Sequence, residues 1–145
     1  MARLTTVVVA TARQRALCRS LLAPTDGCSI VGEGRTVVEA LELTARLQPA
    51  ILLLGSPHGR TAPPLALSLI RSRSPRTRII LLTERASEAD ILDALSQGAL
   101  GYLAKDGLPT SLARAVRAVA AGEAWVSRRM VGRIIDRLAH LPAKA

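Results

Sequence analysis

The chain has 145 residues, of which 49% are hydrophobic, and 20 Lys and Arg against 11 Asp and Glu set its formal charge at +9. That length suits one domain with a substantial buried core, and a mean hydropathy of +0.27 excludes a disordered tail. No apolar run nears the roughly 18 to 20 residues that cross a bilayer, and Thr5 to Ala12 leads straight into Arg13 and Arg15 without a cleavage region, so no signal peptide is read. Cys18 and Cys28 come without a Cys-x-x-Cys or Cys/His cluster, which argues against a disulfide scaffold or a zinc site. A cytoplasmic protein without a metal or other cofactor is expected.

Apolar runs of about five residues alternate with amphipathic stretches of about ten to twelve, the pattern of β-α units around a parallel sheet. Strands are predicted at Thr5 to Ala10, Ser29 to Val31, Ala50 to Leu54, Arg78 to Leu82 and Gly101 to Ala104. Val7 to Val9, Ile51 to Leu54 and Ile79 to Leu82 are continuously apolar and need cover on both faces. Helices are predicted at Ala12 to Leu22, Thr36 to Leu47, Pro63 to Ser72, Ser87 to Gln97, Leu108 to Ala121 and Ser127 to His140. Thr36-x-x-Glu39 and Ser87-x-x-Asp90 are capping signals. Gly98 and Gly122 mark helix ends, while Pro49 and Pro75 stop continuation into the following strands. Ser56 to Pro64 is the loosest stretch.

In an open doubly wound sheet the functional crevice lies beyond the carboxyl ends of the strands. Those ends carry Thr11 and Ala12, Gly55 and Ser56, Thr83 and Glu84, and Lys105. No Ser-His-Asp, Cys-His or paired-carboxylate arrangement accompanies them, so an enzyme is not expected. The arginines are scattered and no base-stacking aromatics interleave with them. They read as solvated surface, with a polyanion-contacting face as the alternative. On the last helix Arg129, Arg133 and Arg137 form a stripe opposite Met130, Ile134 and Leu138, which are expected to pack inward or against a partner.

The segment Gln97-Gly98-Ala99-Leu100-Gly101-Tyr102-Leu103-Ala104-Lys105-Asp106, and after it Ala115 to Trp125 followed by Val126-Ser127 and a helix, resemble the receiver domains of bacterial response regulators, those of NarL/FixJ-type transcriptional regulators above all. The resemblance covers residues 5 to 140. It implies a flavodoxin-like five-stranded parallel sheet in the order 2-1-3-4-5. It matches Thr83 to the hydroxyl that senses a phosphoryl group, Lys105 to the cation paired with it, and Tyr102 to the aromatic that moves on activation. The family's phosphoacceptor aspartate would stand at Gly55, and its two metal-binding acids at Thr11 and Ala12. Mg²⁺ needs hard oxygen ligands, and no Asp or Glu occurs between Glu42 and Glu84 or before Asp26. A shifted alignment therefore restores neither acceptor nor metal site.

The expected organisation is an atypical receiver at residues 1–124 and a linker helix with tail at 125–145, leading toward a DNA-binding domain outside these residues. The expected function is a phosphorylation-independent regulatory and dimerisation module of a transcriptional regulator. Two alternatives stand beside it: a sensor binding a small anionic molecule in the vacated crevice, with Lys105 facing either that anion or Glu84, and a basic adaptor for polyanions. The expected homodimer face sets Glu88, Asp90 and Asp93 of the fourth helix against Arg114 and Arg117 of the fifth; a pairing through the first and fifth helices is the competing arrangement. Trp125 is expected to anchor the last helix on the domain.

Overall fold

The computed structural model describes residues 3–23, 27–55, 64–83 and 87–141. Five parallel strands, β1 (Leu4–Val9), β2 (Cys28–Gly34), β3 (Ile51–Gly55), β4 (Arg78–Thr83) and β5 (Gly101–Ala104), form one sheet in the order β2-β1-β3-β4-β5. Among the described residues six α-helices join and follow them: α1 (Ala12–Leu22), α2 (Val37–Leu47), α3 (Pro64–Arg73), α4 (Glu88–Ser96), α5 (Leu108–Ala120) and α6 (Arg128–Ala139). The predicted flavodoxin-like architecture is therefore the observed one.

Strand alternation divides the buried residues between the two faces. Val8, Leu53 and Ile80 meet Cys18 and Leu22 of α1 and Leu112, Ala115, Val116 and Val119 of α5. On the other face Val7, Val9, Leu52, Leu54, Ile79 and Leu81 meet Ala40 of α2, Leu67 and Ile70 of α3 and Ala94 of α4. Two apolar faces explain why the central strands read as unbroken hydrophobic runs.

The edge strand β2 runs further than expected, through Gly32, Glu33 and Gly34, which pair with Val7, Val8 and Val9 after a register shift between Thr6 and Val7. An edge strand is not obliged to be apolar throughout. Its two glycines sit under α2, where an added Cβ would come within 3.0 Å of Leu47 at position 32 and of Glu39 at position 34.

Hydroxyl caps start four of the described helices: Thr11 caps α1, Thr36 accepts from the Glu39 amide at 3.1 Å, Ser87 from the Asp90 amide at 3.1 Å, and Ser127 from the Met130 amide at 3.1 Å. Each such cap stabilises its helix by about 1 kcal/mol. Before α6 the chain runs alongside β5: Trp125 forms a parallel bridge with Gly101, donates its amide to Leu100 O at 2.9 Å and accepts from the Tyr102 amide at 3.2 Å. The Trp125 ring lies 5.7 Å from the Arg114 guanidinium and packs on the α1/α5 core, as befits the expected anchor.

α6 then folds back on α4. Glu88 bridges Arg129 at 2.8 Å and Arg133 at 3.0 Å, and Asp93 holds Arg137 at 2.8 Å. This corrects the sequence reading of the helix. Met130 is buried and Ile134 half-buried, as expected, but the arginines pair with acids of the domain and Leu138 is 61% exposed, together with Val131 and Ile135. The acids of α4 offer the arginines a partner that periodicity within α6 does not reveal.

Candidate functional site

The crevice at the carboxyl ends of β1, β3, β4 and β5 is built by where each strand stops. β1 ends at Val9, and Ala10 is buried with its amide bonded to Gly34 O at 3.1 Å. Thr11 is the N-cap of α1 and Ala12 its first residue. The Thr11 hydroxyl accepts from the Gln14 amide at 3.2 Å, and the Gln14 side chain accepts in return from the Thr11 amide at 3.3 Å. This reciprocal capping box satisfies two helix-end donors at once.

Gly55 ends β3 in register with Leu82. A Cβ placed on it would stand 2.9 Å from Gln14 Oε1 and 3.2 Å from the Ala10 Cβ. The first distance obliges the end of the Gln14 side chain to shift, and the second requires the alanine to yield by a few tenths of an ångström. Gln14 is only 4% exposed, so its amide fills the space into which a longer side chain at position 55 would project. The groups that meet position 55 are thus Ala10 and Gln14, both missed by the sequence reading, while Thr11 and Ala12 belong to the helix start. The signal that would have found Gln14 is the Thr11-x-x-Gln14 box.

Thr83 closes β4, buried, in register with Ala104. Lys105 follows β5 at the head of a single 3₁₀ turn, Lys105–Gly107, and is exposed. The structure thus places Gly55, Thr83 and Lys105 at the carboxyl ends of the neighbouring strands β3, β4 and β5. Ser56 and Glu84, also assigned to it, lie outside the described residues, as does any Glu84 contact with Lys105. Tyr102 is half-buried in β5 and its hydroxyl lies 3.1 Å from Ser127 Oγ, the cap of α6.

No carboxylate stands at residues 10, 11, 14 or 55, and among the described residues no three His, Cys, Asp or Glu side chains converge as metal ligands. The side-chain oxygens that these four positions bring are the Thr11 hydroxyl and the Gln14 amide oxygen, both engaged in the capping box, whereas Mg²⁺ sites are usually held through one or two carboxylates. Among the described residues the arrangement packs Ala10 against Gly55 and caps α1 through Thr11 and Gln14.

The residues assigned to a dimer face are disposed differently. Glu88 and Asp93 are engaged by α6 of the same chain. The hydrogen bond from Arg133, aided by Arg129, holds the Glu88 carboxyl below its ordinary pKa. Asp90 is exposed in the first turn of α4, Arg114 lies over Trp125, and Arg117 is exposed on α5 near Cys28. A two-fold contact through Glu88 or Asp93 would compete with their pairing to α6.

The family profile of the response regulator receiver domain matches residues 7–117. The DNA-binding transcriptional activator DevR/DosR of Mycobacterium tuberculosis is 34% identical over 120 residues, covering 81% of this chain and 54% of that protein. The nitrate/nitrite response regulator protein NarL of Escherichia coli is 30% identical over 112 residues, covering 77% of this chain and 52% of that one. The chain thus spans about half the length of these relatives. Among solved structures, the signal receiver domain of the putative response regulator NarL from M. tuberculosis superposes with a TM-score of 0.74 at 28% identity, over 85% of this chain and 100% of that one. A two-component response regulator of the LuxR family from Aurantimonas, at 24% identity, shares the fold with a TM-score of 0.78 over 97% of this chain and 100% of that one.

Proposed function

Since this chain belongs to the response regulator receiver domain family, we propose that it is a phosphorylation-independent receiver, a regulatory module of a transcriptional regulator of the NarL type. The observation that carries this reading is the filling of the crevice: position 55 is glycine, and Gln14 occupies the space beside it at 2.9 Å from where a Cβ would stand. A receiver without an acceptor is left with its surfaces as the means of regulation. Its output then depends on what those surfaces bind and on how α6 sits.

DNA contact in this proposal belongs to a partner domain; DevR/DosR, of which this chain covers 54%, is a DNA-binding transcriptional activator. The dimer belongs to the same proposal. With Glu88 and Asp93 held by α6, the pairing face falls to α1 and α5, where Arg117 is exposed. Arg117→Glu should then weaken the dimer in sedimentation velocity while Glu88→Gln leaves it intact.

The deciding experiment is incubation with acetyl phosphate and Mg²⁺ followed by intact-mass measurement. The expected result is an unchanged mass. A stable phosphoryl adduct mapping to the crevice overturns the reading.

A further inference from the structure

We propose that the opposite end of the sheet, at the amino ends of β4 and β5, holds a binding site for a small phosphorylated anion. A cavity of about 590 Å³ opens there, lined by Arg71, Arg76 and Arg78 with Thr77, Leu100 and the glycines at 98 and 122. That size lies within the range of small-ligand pockets. Three guanidiniums and no carboxylate line it.

Two of the arginines are positioned in advance. Arg71 donates Nη1 to Gln97 O at 3.2 Å, and Arg78 donates Nη1 to Val119 O at 2.8 Å and Ala120 O at 3.3 Å. A glycine makes room for the first, while the second lies at ordinary contact distance from where a Cβ on the other glycine would stand. An added Cβ at Gly98 would overlap Arg71 Cδ, Nε and Cζ, and one at Gly122 would stand 3.4 Å from Arg78 Nη1. A guanidinium carries five N–H donors, so each keeps further donors beyond those used on the helix ends. A fixed planar fork suits phosphate oxygens in pairs.

The arginines also serve as caps, since α4 and α5 end at this face and their carbonyls carry roughly half a negative elementary charge per helix. That role accounts for Arg71 and Arg78. It does not account for Arg76, which is exposed on the turn before β4 and makes no hydrogen bond or ion pair with any described residue. Full guanidinium charges also outweigh the partial charges they cap. The surplus cation at the rim of a preformed cavity is what assigns an anion to it.

The test is calorimetric titration of the full chain with inorganic pyrophosphate and with ATP, at low and at physiological ionic strength. We expect saturable binding of at least one probe that weakens by about tenfold or more in Arg76→Ser, the loss of a hydrogen bond to a charged group. Arg76→Lys should fall between, because it keeps the charge but not the fork. Arg13→Ser, which removes an equal charge at the other end of the sheet, should leave affinity nearly unchanged. Three outcomes overturn the proposal: no saturable binding of either probe, equal losses in Arg13→Ser and Arg76→Ser, or binding of duplex DNA that pyrophosphate does not compete for.

Discussion

The hydroxyls of Tyr102 and Ser127 lie 3.1 Å apart, and the same Ser127 oxygen accepts the Met130 amide that opens α6. One serine thereby joins the fifth strand to the last helix. Ser127→Ala should cost about 1 kcal/mol of α6 stability through the lost cap, and Tyr102→Phe should loosen the same turn less, because the cap itself survives. Amide hydrogen exchange at Val131 and its neighbours reads both effects. Equal protection in the wild type and Ser127→Ala would show that the junction is held by other contacts.

Placing an aspartate at position 55 should not make the protein accept a phosphoryl group. Gly55→Asp drives a side chain into Gln14 and Ala10, and overpacking of this kind costs about 1 to 3 kcal/mol. Adding Gln14→Ala should recover part of that stability, so the double-mutant cycle should show favourable coupling between the two sites. Both variants should remain unmodified by acetyl phosphate, since no acid among the described residues at the β1 and β3 ends joins the new carboxylate. Chemical denaturation and intact mass check the two halves separately.

The α4 to α6 contact should open in acid. The Glu88 carboxyl is held below its ordinary value of 4.5 by the Arg133 hydrogen bond and Arg129, so its folded pKa lies below the unfolded one. Its stabilising contribution is full above about pH 4.5 and is lost as pH falls through the folded value. Salt should act in the same direction, because the pairs are partly exposed. Limited proteolysis within α6 should accelerate at low pH or high salt, and Glu88→Gln should remove most of the pH response.

Two glycines should answer alanine in opposite ways. At Gly98 the backbone has φ of 110° and a Cβ would strike Arg71, so Gly98→Ala should destabilise by about 1 to 3 kcal/mol. At Gly132, inside α6, nothing lies within 4 Å of an added Cβ. Gly132→Ala should stabilise the helix by about 0.5 to 1 kcal/mol. Thermal unfolding distinguishes the signs.

Cys18 should resist alkylation in the native state. Burial, with a smaller effect of Glu33, raises its thiol to about 11, so little thiolate exists at pH 8 and access is closed. Reaction with iodoacetamide should therefore track unfolding.

The sheet and its helices were legible because two periodicities and their punctuation agree at almost every boundary. The glycine at 55 was legible too, as an uncharged residue at the end of a buried strand. Gln14 was not, because which side chain fills a small space depends on how far β1 runs before α1 begins. A difference of one or two residues there turns Thr11 from a crevice residue into a cap. The docking of α6 was hidden for another reason: acids on α4 and arginines on α6 fit a partner molecule or the same chain equally well until the connection at Trp125 is known.

That connection has a consequence for self-association of another kind. A β-sheet edge with free amides and carbonyls recruits strands from other molecules, and proteins must guard against it. Beyond β5, the backbone of Trp125 occupies donor and acceptor positions at Leu100 and Tyr102, so the segment that leads into α6 also shields that edge. Loosening the junction would expose part of the edge. Variants that undock α6 should therefore be watched for slow aggregation as well as for altered regulation.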